Sequence, residues 1–282
     1  MLINAGRLLK KATFFIHPNF CNFNTTKLVF IMPPIETIDD VIDTLQNIIE
    51  DTIKNESTLG YFAALYLKVT KEVKQGILEN FFEDGKRMEK LDVIFAKRYI
   101  SAYYNHKENK SISQSWEKTF NISTKYWPIV LQHLLMGMNA HINLDLGIAA
   151  AQVCEGKSIN SLKNDFDKIN VILSSLVNNI EQNLSSIWPF LKKVLKFTNK
   201  IDSFLINFSM KLARDGAWNF AVKLSSNSKD NQSIIIKARD QKIADKTSLI
   251  IKPGLIPEVI FMVVRLGEQG SITKKIDDLL QK

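Results

Sequence analysis

Residues 37–53 read TIDDVIDTLQNIIEDTI. Apolar residues recur in this stretch at intervals of three and four, which places their side chains along one face of an α-helix. Thr37 is followed three residues later by Asp40, a pattern that resembles a capping box with Asp in place of Glu. The stretch therefore predicts an amphipathic helix that starts just after Thr37.

The same periodicity extends along the rest of the chain. With 45% apolar residues, the 282-residue chain can bury a core, and 11 Gly and 7 Pro are few for a β fold with many tight turns. We predict an all-α fold, a single multi-helix globular bundle of about eight to ten helices. The further helices are expected at about 57–82, 86–105, 113–121, 127–154, 158–181, 201–224, 233–244, 255–266 and 271–281. For 255–266, periodicity alone also permits a buried strand.

The N-terminal segment differs from the rest of the chain. Residues 1–31 contain no Asp or Glu, and they lack the compact apolar region and cleavage site of a secretory signal. The segment is either a short leader or membrane-touching arm, or an upstream extension of a protein whose translation starts at Met32. We favour the second interpretation. Residues 1–33 are therefore expected to be a disordered or spurious extension, and 34–282 a single helical domain.

Charge and cysteine content limit the classes of function. The net charge is +8, but no stripe of basic and aromatic residues suggests nucleic-acid binding. No apolar run approaches the roughly 18 residues of a membrane span, so we expect no integral membrane association. Cys21 and Cys154 have no metal-type spacing and form no disulfide framework, which favours a reducing compartment and a cytoplasmic protein.

Asp92 is the first polar residue with an unusual setting. It interrupts the apolar stripe of the third predicted helix, where a carboxylate must be hydrogen-bonded, paired with a cation or bound to a metal. An ion pair with Arg98 or a cap on a neighbouring helix is the structural interpretation of Asp92.

The densest polar cluster lies in residues 132–146, QHLLMGMNAHINLDL. His133, Gly137, His141 and Asp145 are spaced by four, so on a helix they follow one face, and their apolar neighbours predict that this face points inward. Gly137 is unfavourable in mid-helix and suggests that a backbone or a ligand approaches closely.

Helix geometry divides this cluster. His141 and Asp145 lie one turn apart and can share a metal ion. His133 and His141 are about 12 Å apart along an unbroken helix, so His133 is not expected to bind the same ion. A hydrogen-bonded structural network of His141 and Asp145 is the alternative. Asn139, Asn143 and Asp145 would cap helix ends if the helix were interrupted here.

A third cluster is the stretch 214–218, RDGAW. We expect a surface ion pair between Arg214 and Asp215 beside a buried Trp218. Alternatively, Asp215 completes a polar core with the central helix.

These motifs resemble those of a known family. The run 134–146 (LLMGMNAHINLDL), with the earlier pairs Asp84-Gly85, Met88-Glu89, Leu91-Asp92, Phe95-Ala96 and Arg98-Tyr99, resembles an uncharacterised bacterial family of helical proteins, known only as a domain of unknown function. The resemblance covers residues 34–225 and implies a single helical domain that begins after Met32, with no assigned activity. The spacing of His141 and Asp145 is also similar to that in the zinc phospholipase C and P1-type nuclease group, but this chain has too few His and lacks that group's N-terminal Trp.

Two functional hypotheses follow. The first is a metal-dependent, hydrolase-like enzyme in which His141, Asp145 and Asp92 bind a zinc, iron or manganese ion. Its catalytic residues would be His133, His141 and Asp92, with His133 orienting a water or the substrate. The second is a non-catalytic helical binding module for a small molecule or a partner helix, in which the His and Asp residues form a structural network. The sequence leaves the reaction and the oligomeric state open.

Overall fold

A computed structural model describes residues 34–188 and 210–281 of the chain, and within these ranges all regular structure is helical. The prediction of an all-α fold is confirmed. The expectations for residues 1–33, and for a helix that begins at 201, fall on residues outside the described ranges. The described residues form eleven α-helices: α1 (Ile38–Lys54), α2 (Gly60–Leu78), α3 (Gly85–Lys107), α4 (Gln114–Asn121), α5 (Val130–Ala140), α6 (Gly147–Val153), α7 (Lys163–Ile187), α8 (Met210–Ser225), α9 (Lys229–Ile251), α10 (Leu255–Gly267) and α11 (Ile272–Leu280).

The first helix begins where the sequence predicts it. The Thr37 hydroxyl accepts a hydrogen bond from the Asp40 backbone N–H (3.1 Å), and the Asp40 carboxylate accepts one from the Thr37 N–H (3.0 Å). The reciprocal bonds satisfy two backbone donors at the helix start. The apolar face of α1 then packs against α2 and α3.

The central segment deviates from the single helix predicted over 127–154. Between α5 and α6, the backbone of His141–Leu146 forms a π-helix, which adds one residue to each hydrogen-bonded turn. The helix is therefore not interrupted at Gly137 but widens four residues later. On α9, Arg239 donates from Nε to the Asn143 carbonyl (3.0 Å), which satisfies one acceptor in the widened turn.

Two other segments differ from the prediction. The helix α9 begins at Lys229, directly after Ser228, and is longer than the predicted 233–244. Its apolar residues do not follow one clear face, so periodicity in the sequence did not reveal its full length. Residues 255–266, for which a strand was also possible, are helical as α10. None of the helices in the described ranges is long and apolar enough to cross a membrane.

The central segment organises the packing of the other helices. The α5 helix packs against α2, α4 and α9, and α6 packs against α3 and α8. His141 and Asp145 are only 2% and 1% exposed. Polar side chains in the π-helical turn therefore depend on neighbouring helices for hydrogen bonds, because water does not reach them.

Gly137 has the close neighbour that its position predicts. A Cβ atom at this residue would overlap the ring of Phe62, which α2 brings against α5. The neighbour is thus a side chain rather than a backbone or a ligand.

We predict that Gly137→Ala destabilises the protein although alanine favours the helix. The gain in helix propensity is about 1 kcal/mol, whereas overpacking against Phe62 costs about 1 to 3 kcal/mol. Urea unfolding would measure the difference. The matched control is Gly216→Ala in α8, where the added Cβ would lie 3.6 Å from its nearest neighbour, an atom of Arg239, and should stabilise. Equal stabilisation by both substitutions would contradict the prediction.

Candidate functional site

Asp145 is the centre of a buried hydrogen-bond network. Its Oδ1 accepts from Arg98 Nε on α3 (2.6 Å), and its Oδ2 accepts from Trp116 Nε1 on α4 (2.8 Å). His141 Nδ1 lies 3.2 Å from the same Oδ2. Both oxygens of this carboxylate are thus engaged by side chains from three parts of the fold.

The charge of Asp145 is stabilised by these partners. Burial alone would raise the pKa of the carboxyl group, but Arg98 and the hydrogen bonds from His141 and Trp116 hold that pKa below its ordinary value. Asp145 is therefore an ionised acceptor at neutral pH. It follows that His141 carries its proton on Nδ1 and donates it to Asp145.

The imidazole ring of His141 packs against two aromatic side chains. The Phe95 ring stacks on the imidazole, with ring centroids 3.6 Å apart, and Tyr66 approaches it edge-on at 4.6 Å. Burial lowers the pKa of His141, and Asp145 offsets only part of this effect. The ring is therefore neutral at pH 7, and its Nε2 is a buried acceptor without a hydrogen-bond partner in the described ranges.

Asp92 lacks the support that Asp145 has. It is 7% exposed, and its Oδ2 has no hydrogen-bond partner among the described residues. The predicted ion pair with Arg98 is wrong, because Arg98 binds Asp145 instead. Burial, together with the charge of Glu89, raises the pKa of Asp92 to about 7, so that neutral and ionised forms coexist near neutral pH.

Asp92 and His141 line one interior cavity of about 330 Å³. Most of its wall is apolar and comes from α2, α3, α5, the π-helical turn, α7 and α8. Among the described residues of the lining, Asn170 on α7 is partly exposed and Lys211 on α8 is exposed. Asp92 and His141 therefore face a space large enough for a small molecule.

Sequence reasoning missed Tyr66 and misplaced Arg214, two other polar residues of the lining. The Tyr66 hydroxyl and Arg214 Nε are buried without a hydrogen-bond partner in the described part of the chain. The predicted surface pair of Arg214 with Asp215 is wrong, because Arg214 is buried and Asp215 pairs with Lys211 (2.9 Å). Trp218 is buried, as expected.

The structure separates the predicted site residues. His141 contacts Asp145 and shares the cavity with Asp92, but Asp145 lines a different groove, beside Arg98 and Trp116. His133 lines neither space; its ring packs edge-on against Tyr61 at 5.5 Å. Burial, with Arg265 and Lys275, lowers the pKa of His133 to about 3. No group of three or more His, Cys, Asp or Glu suited to a metal ion occurs within 34–188 and 210–281.

Comparison with known proteins gives one match. The model of a family described as "Family of unknown function (DUF5995)" matches residues 38–253, which is most of the chain. Searches of curated proteins and of solved structures found no match.

We predict that Asp145→Asn costs about 3 kcal/mol of unfolding free energy, the lower end for a broken buried pair, because Arg98 remains partly exposed. Since the pKa of Asp145 is lowered by folding, its stabilisation is complete above the ordinary Asp pKa of about 3.9 and is lost as the pH falls through the folded value. The difference from wild type should therefore shrink in acid. Urea unfolding from pH 7 down to pH 3 tests this. Asp215→Asn, at an exposed pair, is the control, and an equally small effect of both would refute the network.

Asp92→Asn should have the opposite pH dependence. Folding raises the pKa of Asp92 to about 7, so its ionisation destabilises the fold progressively as the pH rises from the ordinary Asp pKa of about 3.9 towards 7. The stability gain of the variant over wild type should be small at pH 4.5, just above the ordinary Asp pKa, and larger at pH 8. Urea midpoints at the two pH values measure the effect, with the exposed Asp43→Asn as the control. A difference that does not change with pH would rule out this explanation.

Proposed function

The chain belongs to the family of unknown function DUF5995, and on this premise we propose that it binds a small, largely apolar molecule in the cavity beside Asp92 and His141. The observation that carries the proposal is that two residues of the cavity lining, Asp92 and His141, each have a buried polar atom, Oδ2 and Nε2, with no hydrogen-bond partner among the described residues. Buried polar atoms in native proteins are nearly always hydrogen-bonded, so exceptions that gather at a cavity favour a ligand there.

The size and lining of the cavity fit a small organic ligand. An apolar cavity of about 150 Å³ is known to hold benzene, and ligand sites commonly begin at about 300 Å³. This cavity has about 330 Å³ and is lined mainly by aliphatic and aromatic side chains. Burial of the ligand's apolar body would supply most of the affinity.

The polar end of the cavity favours a hydroxyl-like group. His141 Nε2 accepts a hydrogen bond, whereas the Tyr66 hydroxyl can donate one, as can Asp92 in its neutral form. Burial raises the pKa of Tyr66 well above its usual value, so its hydroxyl keeps the proton. A ligand hydroxyl would donate to His141 and accept from Tyr66 or Asp92, which satisfies these buried atoms together.

The metal-dependent enzyme stays a prediction, and the hydrogen bonds of Asp145 favour it less than the binding module. Both oxygens of Asp145 already accept hydrogen bonds, and one is bound by the positively charged Arg98 at 2.6 Å. A metal ion at Asp145 would have to displace these donors and would lie beside that charge. The binding module, in which Asp145 with Arg98 and Trp116 holds the helices together, requires no such displacement.

The proposed site predicts saturable binding of 1-octanol that a bulky residue in the cavity wall abolishes. Val69 lines the cavity and is only partly buried, so Val69→Trp should fill the space without unfolding the protein. Isothermal titration calorimetry with 1-octanol would give a one-site curve for wild type and no heat of binding for this variant.

The matched control is Val222→Trp on α8, which makes the same change at a residue that is 37% exposed and outside the cavity lining. It should bind 1-octanol like wild type. Absence of binding to wild type, or equal binding to both variants, would refute the proposed site.

A further inference from the structure

Among the described residues that line the cavity, Arg214 is the one buried basic side chain. It is 4% exposed, and its guanidinium lies over the ring of Phe166, 4.5 Å from the ring centroid. Its NH2 group donates to the backbone carbonyl of Phe166, while Nε has no hydrogen-bond partner in the described residues. The side chain is thus held in place by α7 with part of its donor capacity unused.

The positive charge of Arg214 has no ion-pair partner within 34–188 and 210–281. The nearest acids that act on it are Asp167 and Asp215, and each already pairs with a lysine, Lys163 and Lys211 respectively. Burial lowers the pKa of Arg214 to about 10, partly offset by these two acids, so the side chain stays charged at neutral pH. A buried cation without an ion pair is costly unless something binds it.

We infer that the ligand of this cavity carries a carboxylate, which Arg214 binds, and that the natural ligands are therefore small apolar carboxylic acids. The inference rests on the proposed function and names the chemical class of the molecule. A guanidinium presents parallel N–H donors that match the two oxygens of a carboxylate. Arg214 lines the cavity and its Nε donor is unused among the described residues, so a ligand carboxylate beside this guanidinium would accept its hydrogen bond.

Lys211, the other cation among the described residues of the lining, does not fulfil the same role. Its side chain is 77% exposed and is already paired with Asp215. Exposed ion pairs contribute little because water solvates and screens the charges. Discrimination between a carboxylate and a neutral group therefore depends on the buried Arg214.

The two polar parts of the cavity are separate. No hydrogen bond or ion pair joins Arg214 to Asp92 or His141 among the described residues, and Asp92 responds to Glu89 rather than to Arg214. The carboxylate is thus bound at Arg214, where α8 packs against Phe166 of α7. The rest of the ligand extends from there along the apolar wall towards Asp92 and His141, where a hydroxyl group on it would meet the polar end of the cavity.

The test compares three probes with the same eight-carbon chain: octanoate, 1-octanol and octylammonium. Titration calorimetry at pH 7 should show that wild type binds octanoate at least about tenfold more tightly than 1-octanol, and octylammonium most weakly. Arg214→Gln should remove the preference for octanoate and leave 1-octanol binding within about twofold of wild type. Arg214→Lys, which keeps the charge but not the planar fork, should retain part of the preference.

The matched control is Arg265→Gln. Arg265 also lies over an aromatic ring, that of Tyr126 at 4.7 Å, and donates to the backbone carbonyl of that same residue, as Arg214 does with Phe166, but it does not line the cavity. This variant should keep the wild-type preference for octanoate. Circular dichroism melting would establish that each variant is folded.

The outcomes separate the two proposals. Equal binding of octanoate and 1-octanol by wild type, or a preference that persists in folded Arg214→Gln, overturns the carboxylate inference and leaves the proposed cavity site intact. Failure of all three probes to bind wild type overturns both. If Arg214→Gln does not fold, the wild-type ratio of octanoate to octylammonium decides: about tenfold or more supports the inference, and about twofold or less overturns it.

Discussion

The buried carboxylate of Asp145 is the interaction on which the rest of the site depends. It takes hydrogen bonds from Arg98 on α3, Trp116 on α4 and His141 one turn earlier in its own segment. An ionised group at this depth is tolerated only when such donors are present, so the network fixes the relative positions of three elements. The same hydrogen bond orients the imidazole of His141. Because Nδ1 is held by Asp145, the acceptor Nε2 is left without a hydrogen-bond partner among the described residues.

Asp92 and Asp145 show how one fold gives two buried carboxylates opposite properties. Asp145 has a cation and two further donors, and its pKa is lowered, whereas Asp92 has an oxygen without a partner among the described residues and a pKa raised to about 7. The first arrangement stabilises the bundle. The second destabilises it as the pH rises from about 3.9 towards 7, and a residue of this kind favours a role in binding, because structural requirements alone would be better met by an apolar side chain.

The sequence predicted which single residues belong to this candidate site better than it predicted which residues contact each other. Asp92, His141 and Asp145 stand out because each interrupts an apolar stripe, and the contact between His141 and Asp145 follows from their spacing of four. The predicted pair of Asp92 and Arg98 fails because residues six apart on a helix point in different directions. The π-helical turn leaves no mark in the periodicity, since it depends on contacts such as that of Arg239 with the Asn143 carbonyl. The sequence did not indicate that Arg214 is buried, because the adjacent Asp215 suggested a surface ion pair. In the structure, Phe166 of α7 packs against Arg214 instead.

The charges of the described lining residues favour the binding module over the metal-dependent enzyme. At neutral pH these residues include a positive charge at the buried Arg214, an exposed Lys211 that is paired with Asp215, a neutral imidazole at His141, a neutral phenol at Tyr66 and a carboxyl group at Asp92 that is only partly ionised. Among these residues a divalent cation would gain at most one full negative charge, at Asp92, and would be repelled by Arg214. An anionic ligand would neutralise Arg214, and its entry would not require Asp92 to ionise. The electrostatic balance therefore favours an apolar acid over a metal ion, and it does so through a residue that lies outside the motif of His141 and Asp145.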